Sequence, residues 1–391
     1  MQVETHAVLS PSASSRWMVC PGSILLEASE PNVESDYAKE GTLAHALAAH
    51  CLEKGIKSRD VLVFEHKGEQ EVISQEMSDY VQEYMDYVTE QAEGNRLLIE
   101  QKLELEWITK EKDAKGTADA VIISKDGSVL NIVDLKYGRG LKVDAQDNSQ
   151  LRIYGLAAQR QFDMLGDFKT VRLHIHQPRL DHVDYEDLSV TELASFRLDV
   201  WSAIEEIEKA KKSNSLDGFL KPGGKQCKFC RAAGKCPALA KVVADTTGAD
   251  FEDETQTELV APVDLGTAMS KVPLLEIWAK SVRGKVEAEL LSGQIVKGWK
   301  LVEGKKGARK YIDERAAENE MKALNLDAED MYETKLLSPA KLEKKLKKKP
   351  GVFEKLQNLF TQSRGKPSVA PISDPRPKYD PKPGDDFEEV E

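Results

Sequence analysis

The spacing of apolar residues changes several times along the first half of the chain. Between about residues 37 and 54 they recur every three or four positions, which predicts a helix that ends at Gly55. A second helix is predicted over about 74–93. The pattern then becomes partly alternating and β-branched, which predicts three strands, over 97–105, 116–123 and 129–136. The pair Asp126-Gly127 separates the last two strands and is typical of a hairpin turn.

The later pattern predicts a helix over 149–165, a strand over 170–177 and a long helix over 190–212. Helix, three strands, helix and strand in this order indicate the α/β class, with a mixed central sheet flanked by helices. Residues 262–293 are helical in pattern, so we expect a mainly helical C-terminal region. The Pro-rich, acidic end of the chain has too little apolar surface to offset the entropy of ordering, so we expect a disordered tail.

These patterns divide the chain into five regions. We expect an N-terminal segment of irregular structure, a core that contains the sheet, a cysteine cluster region, a helical and basic C-terminal region and an acidic tail. Their bounds are 1–35, 36–215, 216–248, 249–362 and 363–391.

Composition excludes some classes of protein. The 391 residues are 40% hydrophobic and 31% charged, with a net charge of −12, which argues against coating nucleic acid by bulk charge but not against a local basic groove. No apolar stretch approaches the roughly 20 residues that span a bilayer. The first ten residues lack a basic segment followed by an apolar one. We therefore expect no membrane association, no secretion and a cytoplasmic location.

Asp134 and Lys136 flank Leu135 at the end of the third predicted strand. Because side chains alternate along a strand, the acid and the amine project to one side. The carboxylate is suited to holding Mg²⁺, and the lysine to orienting or deprotonating water or stabilising negative charge. Asp-x-Lys on its own is more often a surface ion pair, so a catalytic interpretation depends on the neighbouring residues.

Asp119 lies in the preceding predicted strand, which is otherwise apolar. An uncompensated charge there would be costly, which favours a functional partner. Hairpin pairing about Asp126-Gly127 would bring Asp119 beside Asp134, so that two carboxylates converge on one metal ion.

Four further positions accompany the two acids. Gln150 and Tyr154 lie one helical turn apart on the following helix. His45 lies on the first predicted helix, although a single histidine is more often structural. Glu100 is a candidate for a further metal ligand, in competition with two nearby glutamates, Glu104 and Glu106.

Taken in order, these motifs resemble the RecB-like branch of the PD-(D/E)XK nuclease superfamily. The four shared motifs cover roughly residues 36–180: Gly-Thr-x-x-His ending at His45, Gly-x-x-Asp at Asp119, Asp-x-Lys at Lys136 and Gln-x-x-x-Tyr at Tyr154. The resemblance implies a restriction-endonuclease-like core that hydrolyses DNA with Mg²⁺ or Mn²⁺. It also implies that His45, Asp119 and Asp134 bind the metal, that Lys136 is the catalytic lysine, and that Gln150 and Tyr154 steady the site and meet the DNA.

A phage-associated group within this branch is also similar. The similarity is carried by the run from Asp134 to Gly140 and by Asn148-Ser149-Gln150-Leu151. It implies a role in phage DNA recombination or replication, in the cytoplasm of the host cell, with a single-strand-binding or recombination protein as an expected partner.

Four of the five cysteines are candidates for one metal site. Cys227, Cys230 and Cys236 form a tight cluster in a polar stretch, and Cys20 is the natural fourth ligand, whereas Cys51 is expected to pack in a helix face. Spacing alone leaves Zn²⁺ and an iron–sulfur cluster open. The resemblance favours the iron–sulfur cluster over Zn²⁺, because AddB-like nucleases pair one cysteine before the core with three after it to hold a [4Fe-4S] cluster.

We therefore predict a divalent-metal-dependent deoxyribonuclease that acts on DNA. Exonuclease rather than endonuclease activity is implied by the resemblance and by no residue directly. Two other classes remain open: a non-catalytic DNA-binding or recombination-partner module on a nuclease scaffold, and a zinc-stabilised interaction protein.

Overall fold

The computed structural model describes residues 7–31, 36–247, 265–302 and 351. The described residues up to Val302 belong to one compact unit. The predicted tail and most of the predicted basic C-terminal region lie outside the described residues. The strands, numbered β1 to β7, are Val63–His66, Glu69–Val72, Arg96–Glu104, Lys115–Ile123, Val129–Leu135, Thr170–Gln177 and His182–Ser189. The helices, numbered α1 to α10, are Ser14–Trp17, Ser23–Glu27, Asp36–Lys54, Gln75–Gln91, Glu106–Thr109, Ser149–Gln161, Val190–Lys212, Gly224–Lys228, Pro237–Thr247 and Leu265–Leu291.

Strands β3 to β7 form a five-stranded sheet in the order of the chain, and β1 and β2 form a separate hairpin. Neighbours in the large sheet are antiparallel except for β5 and β6, which are parallel. Two parallel strands need a crossover connection, and α6 provides it. The predicted α/β class, a mixed sheet flanked by helices, is confirmed.

Helices cover both faces of this sheet. Helices α6 and α7 enclose one buried cluster, which includes Ile132 of β5, and α3 and α4 enclose the other, which includes Val133 and Leu135. Successive β5 residues enter opposite clusters because side chains alternate along a strand. Strand β5 is therefore covered on both faces and ends where the two layers meet.

The structure also contains elements that the hydrophobic pattern did not predict. Strand β7 is an edge strand with mostly exposed or half-buried side chains, so apolar alternation is weak in its sequence. The N-terminal segment was wrongly predicted to be irregular: its short helices α1 and α2 form because the fully buried Trp17 inserts into the core. None of the described helices is both long enough and apolar enough to span a membrane.

Two buried histidines on β6 make the core sensitive to acid. His174 accepts a hydrogen bond from the Tyr87 hydroxyl at 2.8 Å and contacts Asn131, whereas His176 stacks on Tyr87 with ring centroids 4.8 Å apart. Burial is the main reason that the pKa of each histidine is lowered to about 4. Both imidazoles are therefore neutral in the folded protein at neutral pH.

We expect the free energy of unfolding to fall as pH decreases from about 6.5 to 4. In this range the unfolded state, with histidine pKa values near 6.5, binds more protons than the folded state. This difference lowers the free energy of unfolding by about 3 kcal/mol per histidine. Urea unfolding at pH 7 and pH 4.5 measures the loss. The variant His176→Phe should remove roughly half of this loss. An equal loss in His176→Phe and the parent would contradict this explanation.

Candidate active site

The C-terminal end of β5 brings two predicted residues to the same side of the sheet. Leu135 is buried between the sheet and the α3–α4 layer, so Asp134 and Lys136 face the opposite layer, towards α6. In the ladder between β4 and β5, Ala120 is opposite Val133. One step further along this register, Asp119 and Asp134 meet at the end of the paired segment.

Lys136 is held in a closed ring of polar contacts. Its Nζ lies 2.8 Å from Asp134 Oδ2 and donates a hydrogen bond to Gln150 Oε1 at 2.9 Å. Gln150 Nε2 in turn donates to Asp134 Oδ1 at 3.0 Å. Asp134 is only 5% exposed, so the ammonium compensates a buried carboxylate. The three side chains fix one another at the start of α6.

Asp119 contacts both helix α3 and strand β5 at this end of the sheet. His45 Nδ1, from α3, lies 3.0 Å from Asp119 Oδ1, and the backbone N–H of Leu135 donates to Oδ2 at 2.7 Å. The ligand atoms of His45, Asp119 and Asp134 do not all lie within 4.8 Å of one another. The predicted ligands are thus brought together as two adjacent polar groups, one around Asp119 and one around Asp134.

Glu100 completes the acidic side of this site. It lies in β3 between the Ile99–Ala120 and Gln101–Ala118 pairs, which sets it across the ladder from Asp119. Its φ is +47°, an uncommon conformation for a residue other than glycine and one that is often found at functional sites. Within the described residues its carboxylate has no hydrogen bond or ion pair. The two competing glutamates, Glu104 and Glu106, are exposed, and the first of them pairs with Lys115.

Tyr84 is a residue of this site that the sequence did not indicate. Its ring is 1% exposed, and its hydroxyl lacks a hydrogen-bond partner within the described residues. It lines a small pocket together with His45, Glu100 and Asp119. Burial and the surrounding carboxylates raise the pKa of Tyr84 well above its usual value. The pocket therefore contains a buried O–H donor that has no protein acceptor.

The charges of the Asp119 group and the Asp134 group interact strongly. Burial lowers the pKa of His45, but the Asp119 charge and hydrogen bond outweigh this effect and raise it to about 9. Burial and the Asp119 charge raise the pKa of Glu100 to about 7. Burial also raises the pKa of Asp134, and the Lys136 ammonium opposes that rise. Three carboxyl groups around one imidazole and one ammonium leave an excess of negative charge that a cation would relieve.

Tyr154 supports the site from within α6. It is buried at 8% exposure, one turn after Gln150, and packs over Gly116 at the start of β4. A Cβ added to Gly116 would lie 2.8 Å from the Tyr154 ring, so a glycine is required for this close approach. This contact explains why the glycine of the Gly-x-x-Asp motif and the tyrosine of the Gln-x-x-x-Tyr motif occur together.

The segment before α6 is anchored by a buried acid that sequence patterns did not reveal. Glu186 of β7 is 3% exposed and accepts hydrogen bonds from the Arg152 guanidinium, the Gln146 side chain and the Asp147 backbone N–H. Because these donors surround the first turn of α6, Glu186 fixes the position from which Gln150 reaches Lys136.

A second acidic group lies close to this segment. Ligand atoms of Asp144, His182 and Asp184 lie within 4.8 Å of one another. His182 Nε2 contacts the Val143 carbonyl at 2.9 Å, and Asp184 accepts from the Ala145 backbone N–H at 2.8 Å. These contacts account for the group as an anchor of the segment.

The four predicted cluster cysteines surround one pocket. Cys20, Cys227, Cys230 and Cys236 all line it, although Cys20 comes from the N-terminal segment. Cys51 is elsewhere, fully buried in the α3–α4 layer. The backbone N–H groups of Lys221 and Gly223 donate to the sulfur atoms of Cys20 and Cys227, each at 3.3 Å. None of the five cysteines forms a disulfide.

The cysteine pocket favours neutral thiols unless a cation is present. Burial raises the pKa of Cys20 and Cys227, and burial together with the Glu27 charge raises the pKa of Cys230 to about 12. Metal ligation requires thiolates, so a bound metal must supply the missing positive charge.

Comparison with known proteins gives a family without an assigned activity. A solved structure described as "Crystal structure of SSO0001" is 14% identical, covers 57% of this chain and 84% of its own, and has a TM-score of 0.24, which supports no conclusion. A family model described as "Protein of unknown function (DUF2800)" matches residues 6–377. The chain therefore belongs to the DUF2800 family.

Proposed function

We propose that this protein is a divalent-metal-dependent deoxyribonuclease of the RecB-like type. The observation that carries the proposal is the ring formed by Asp134, Lys136 and Gln150 beside the Asp119–His45 pair. A half-buried lysine fixed between a carboxylate and an amide, next to further acids, is an arrangement suited to phosphodiester hydrolysis.

The donor set fits a hard divalent cation. Carboxylate oxygens and an imidazole are ligands that suit Mg²⁺ and especially Mn²⁺. Asp119, Asp134 and, once it has lost its proton, His45 would hold the ion. Glu100 would be the further ligand, because it lines a pocket with His45 and Asp119 and its carboxylate has no partner within the described residues. When bound, the ion would neutralise the phosphate and lower the pKa of a bound water.

The protein's own groups have separate roles in this proposal. Lys136 points its ammonium at the reacting phosphate, where it orients water or stabilises the developing negative charge. Gln150 holds the ammonium in place by accepting its hydrogen bond. Tyr154 and Glu186 position the helix that carries Gln150, and the Tyr84 hydroxyl is available to donate to an oxygen atom of the bound substrate.

Exonuclease activity and the biological role depend on the resemblance stated above. We propose digestion from DNA ends, in phage DNA recombination or replication, in the host cytoplasm and beside a single-strand-binding or recombination protein. Digestion from ends has support from the order of the four motifs. The phage role has support from the run from Asp134 to Gly140 and from Asn148-Ser149-Gln150-Leu151.

We also propose that the cysteine pocket holds a [4Fe-4S] cluster. All four cysteines line one pocket, so four thiolates are available to a single metal group, as a [4Fe-4S] cluster requires. The two N–H donors to sulfur are also in keeping with cluster ligation.

A nuclease assay with labelled DNA tests the proposed function. We expect release of short products from 5′-labelled or 3′-labelled strands with Mg²⁺ or Mn²⁺, and none with EDTA, because the acids need the cation to bind the phosphate. Single-stranded, duplex and closed circular DNA should be compared, since resistance of the circle separates exonuclease from endonuclease activity. If the cluster-loaded protein cleaves no DNA over a wide range of metal concentrations but still binds it, the non-catalytic alternative replaces the enzyme proposal.

A further inference from the structure

An exposed aromatic ring projects from the loop that carries the second and third cluster cysteines. Phe229 lies between Cys227 and Cys230 and is 72% exposed, although both cysteines beside it face the pocket. Single exposed apolar residues are common, so the exposure alone has little meaning. The exposure of Phe229 is informative because two lysines are close to it in the chain.

Two lysines without acidic partners stand beside this ring. Lys228 Nζ lies 6.0 Å from the centre of the Phe229 ring. Lys225 is the second residue of α8, and Phe229 directly follows the last residue of that five-residue helix. Both lysines are exposed, and neither forms an ion pair within the described part of the chain. The next cation, Arg231, is instead engaged by Glu27.

The ring and the two lysines are connected to the candidate active site. Arg16 of α1 donates a hydrogen bond to the Phe229 carbonyl at 3.1 Å. In the same short helix, Ser14 Oγ lies 2.6 Å from Ser149 Oγ, directly before Gln150. The loop is thus linked, through one helical turn, to the part of α6 that holds Lys136.

We propose that Phe229, Lys225 and Lys228 form a stacking platform for single-stranded DNA outside the candidate active site. An aromatic face flanked by cations binds an unpaired base by stacking and the adjacent phosphates by charge. A duplex does not offer a free base face, so the platform favours a single strand. The inference rests on the proposed function only in naming DNA as the ligand.

Binding of single-stranded DNA tests the platform independently of cleavage. The experiment uses the full chain in its isolated, cluster-loaded form with the Lys136→Ala change, without added divalent metal, and a fluorescent single-stranded oligothymidylate read by anisotropy. We expect Phe229→Ala and Phe229→Leu to weaken binding by about 5- to 150-fold, and Phe229→Trp to preserve it, because stacking needs an aromatic face. An unchanged melting temperature and an unchanged visible absorption spectrum will show that each variant is folded.

The salt dependence of DNA binding tests the two lysines separately. Each of Lys225→Ala and Lys228→Ala should reduce the slope of log affinity against log salt by about 0.7, the value for one phosphate contact on a single strand. Lys125→Ala, which removes an equal charge at the hairpin between β4 and β5, is the matched control and should leave the slope unchanged.

Equal affinity of Phe229→Ala, Phe229→Leu and the parent for the oligothymidylate would overturn the platform, even if the wild-type protein is a nuclease. No binding of single strands by the parent would overturn it as well. Loss of binding in the two variants, combined with no cleavage by the wild type under any condition, would support the platform and reject the proposed nuclease.

Discussion

Replacing Lys136 with alanine should reduce DNA cleavage by about 10²- to 10⁴-fold, the range for loss of a general acid–base group or of a fixed charge that stabilises a transition state. The ammonium lies 2.8 Å from Asp134 Oδ2 and 2.9 Å from Gln150 Oε1, so the alanine variant loses a charge that these two side chains hold in a fixed position. The reduction should appear in single-turnover rates at saturating Mn²⁺, because the change acts on the chemical step.

A nearby lysine provides the control for this experiment. Lys142 is 62% exposed and pairs loosely with Asp144 at 3.3 Å, so Lys142→Ala should retain the parent rate. Asp134→Asn keeps the shape of the side chain but removes its charge, so it should also abolish cleavage and weaken Mn²⁺ binding. A folded Lys136→Ala variant that cleaves at nearly the parent rate would exclude Lys136 from the chemistry.

Replacing any one of the four pocket cysteines with serine should remove the proposed cluster and destabilise the protein. Cys20, Cys227, Cys230 and Cys236 meet only in the folded chain, so the free energy of binding the proposed cluster would contribute to folding. Loss of a few kcal/mol should lower the melting temperature by about 5–10 °C for a unit of this size. Iron and sulfide analysis, together with absorption near roughly 400 nm, measures the cluster itself.

Cys51 is the control because it is a fully buried cysteine that lies in the α3–α4 layer, away from the pocket. Cys51→Ala should retain full iron content and colour. A colourless parent with one zinc ion per chain would reject the [4Fe-4S] proposal in favour of a zinc-stabilised site. Retention of iron in all four serine variants would reject any role for the pocket in binding metal.

Local sequence patterns predicted most of the core because its long elements have strong periodicity. Helices α3, α4, α6 and α7 and strands β3 to β6 follow the predicted order, and Gly55 and Gly127 adopt the positive φ that their turns require. Strand β7 escaped prediction because it pairs at the edge of the sheet and has few buried apolar side chains.

The site was harder to predict where it depends on tertiary contacts. Asp119, Asp134 and Lys136 were indicated by strand alternation and a hairpin turn, both of which are local. The choice of Glu100 over the other glutamates depends on its register opposite Asp119, and Tyr84 has the sequence signature of an ordinary core residue. Glu186 lies in β7, which the hydrophobic pattern did not predict, so its contacts with α6 could not be predicted either.

The distance along the chain between Cys20 and the other cysteines also has a consequence for biosynthesis. Cys20 accepts a hydrogen bond from the amide of a residue 201 positions later. At ribosomal speeds of about 5–20 residues per second, Cys236 emerges roughly 10–40 s after Cys20. The nascent chain therefore completes the seven described strands before all four pocket cysteines are available, so assembly of the proposed cluster would follow translation of the sheet.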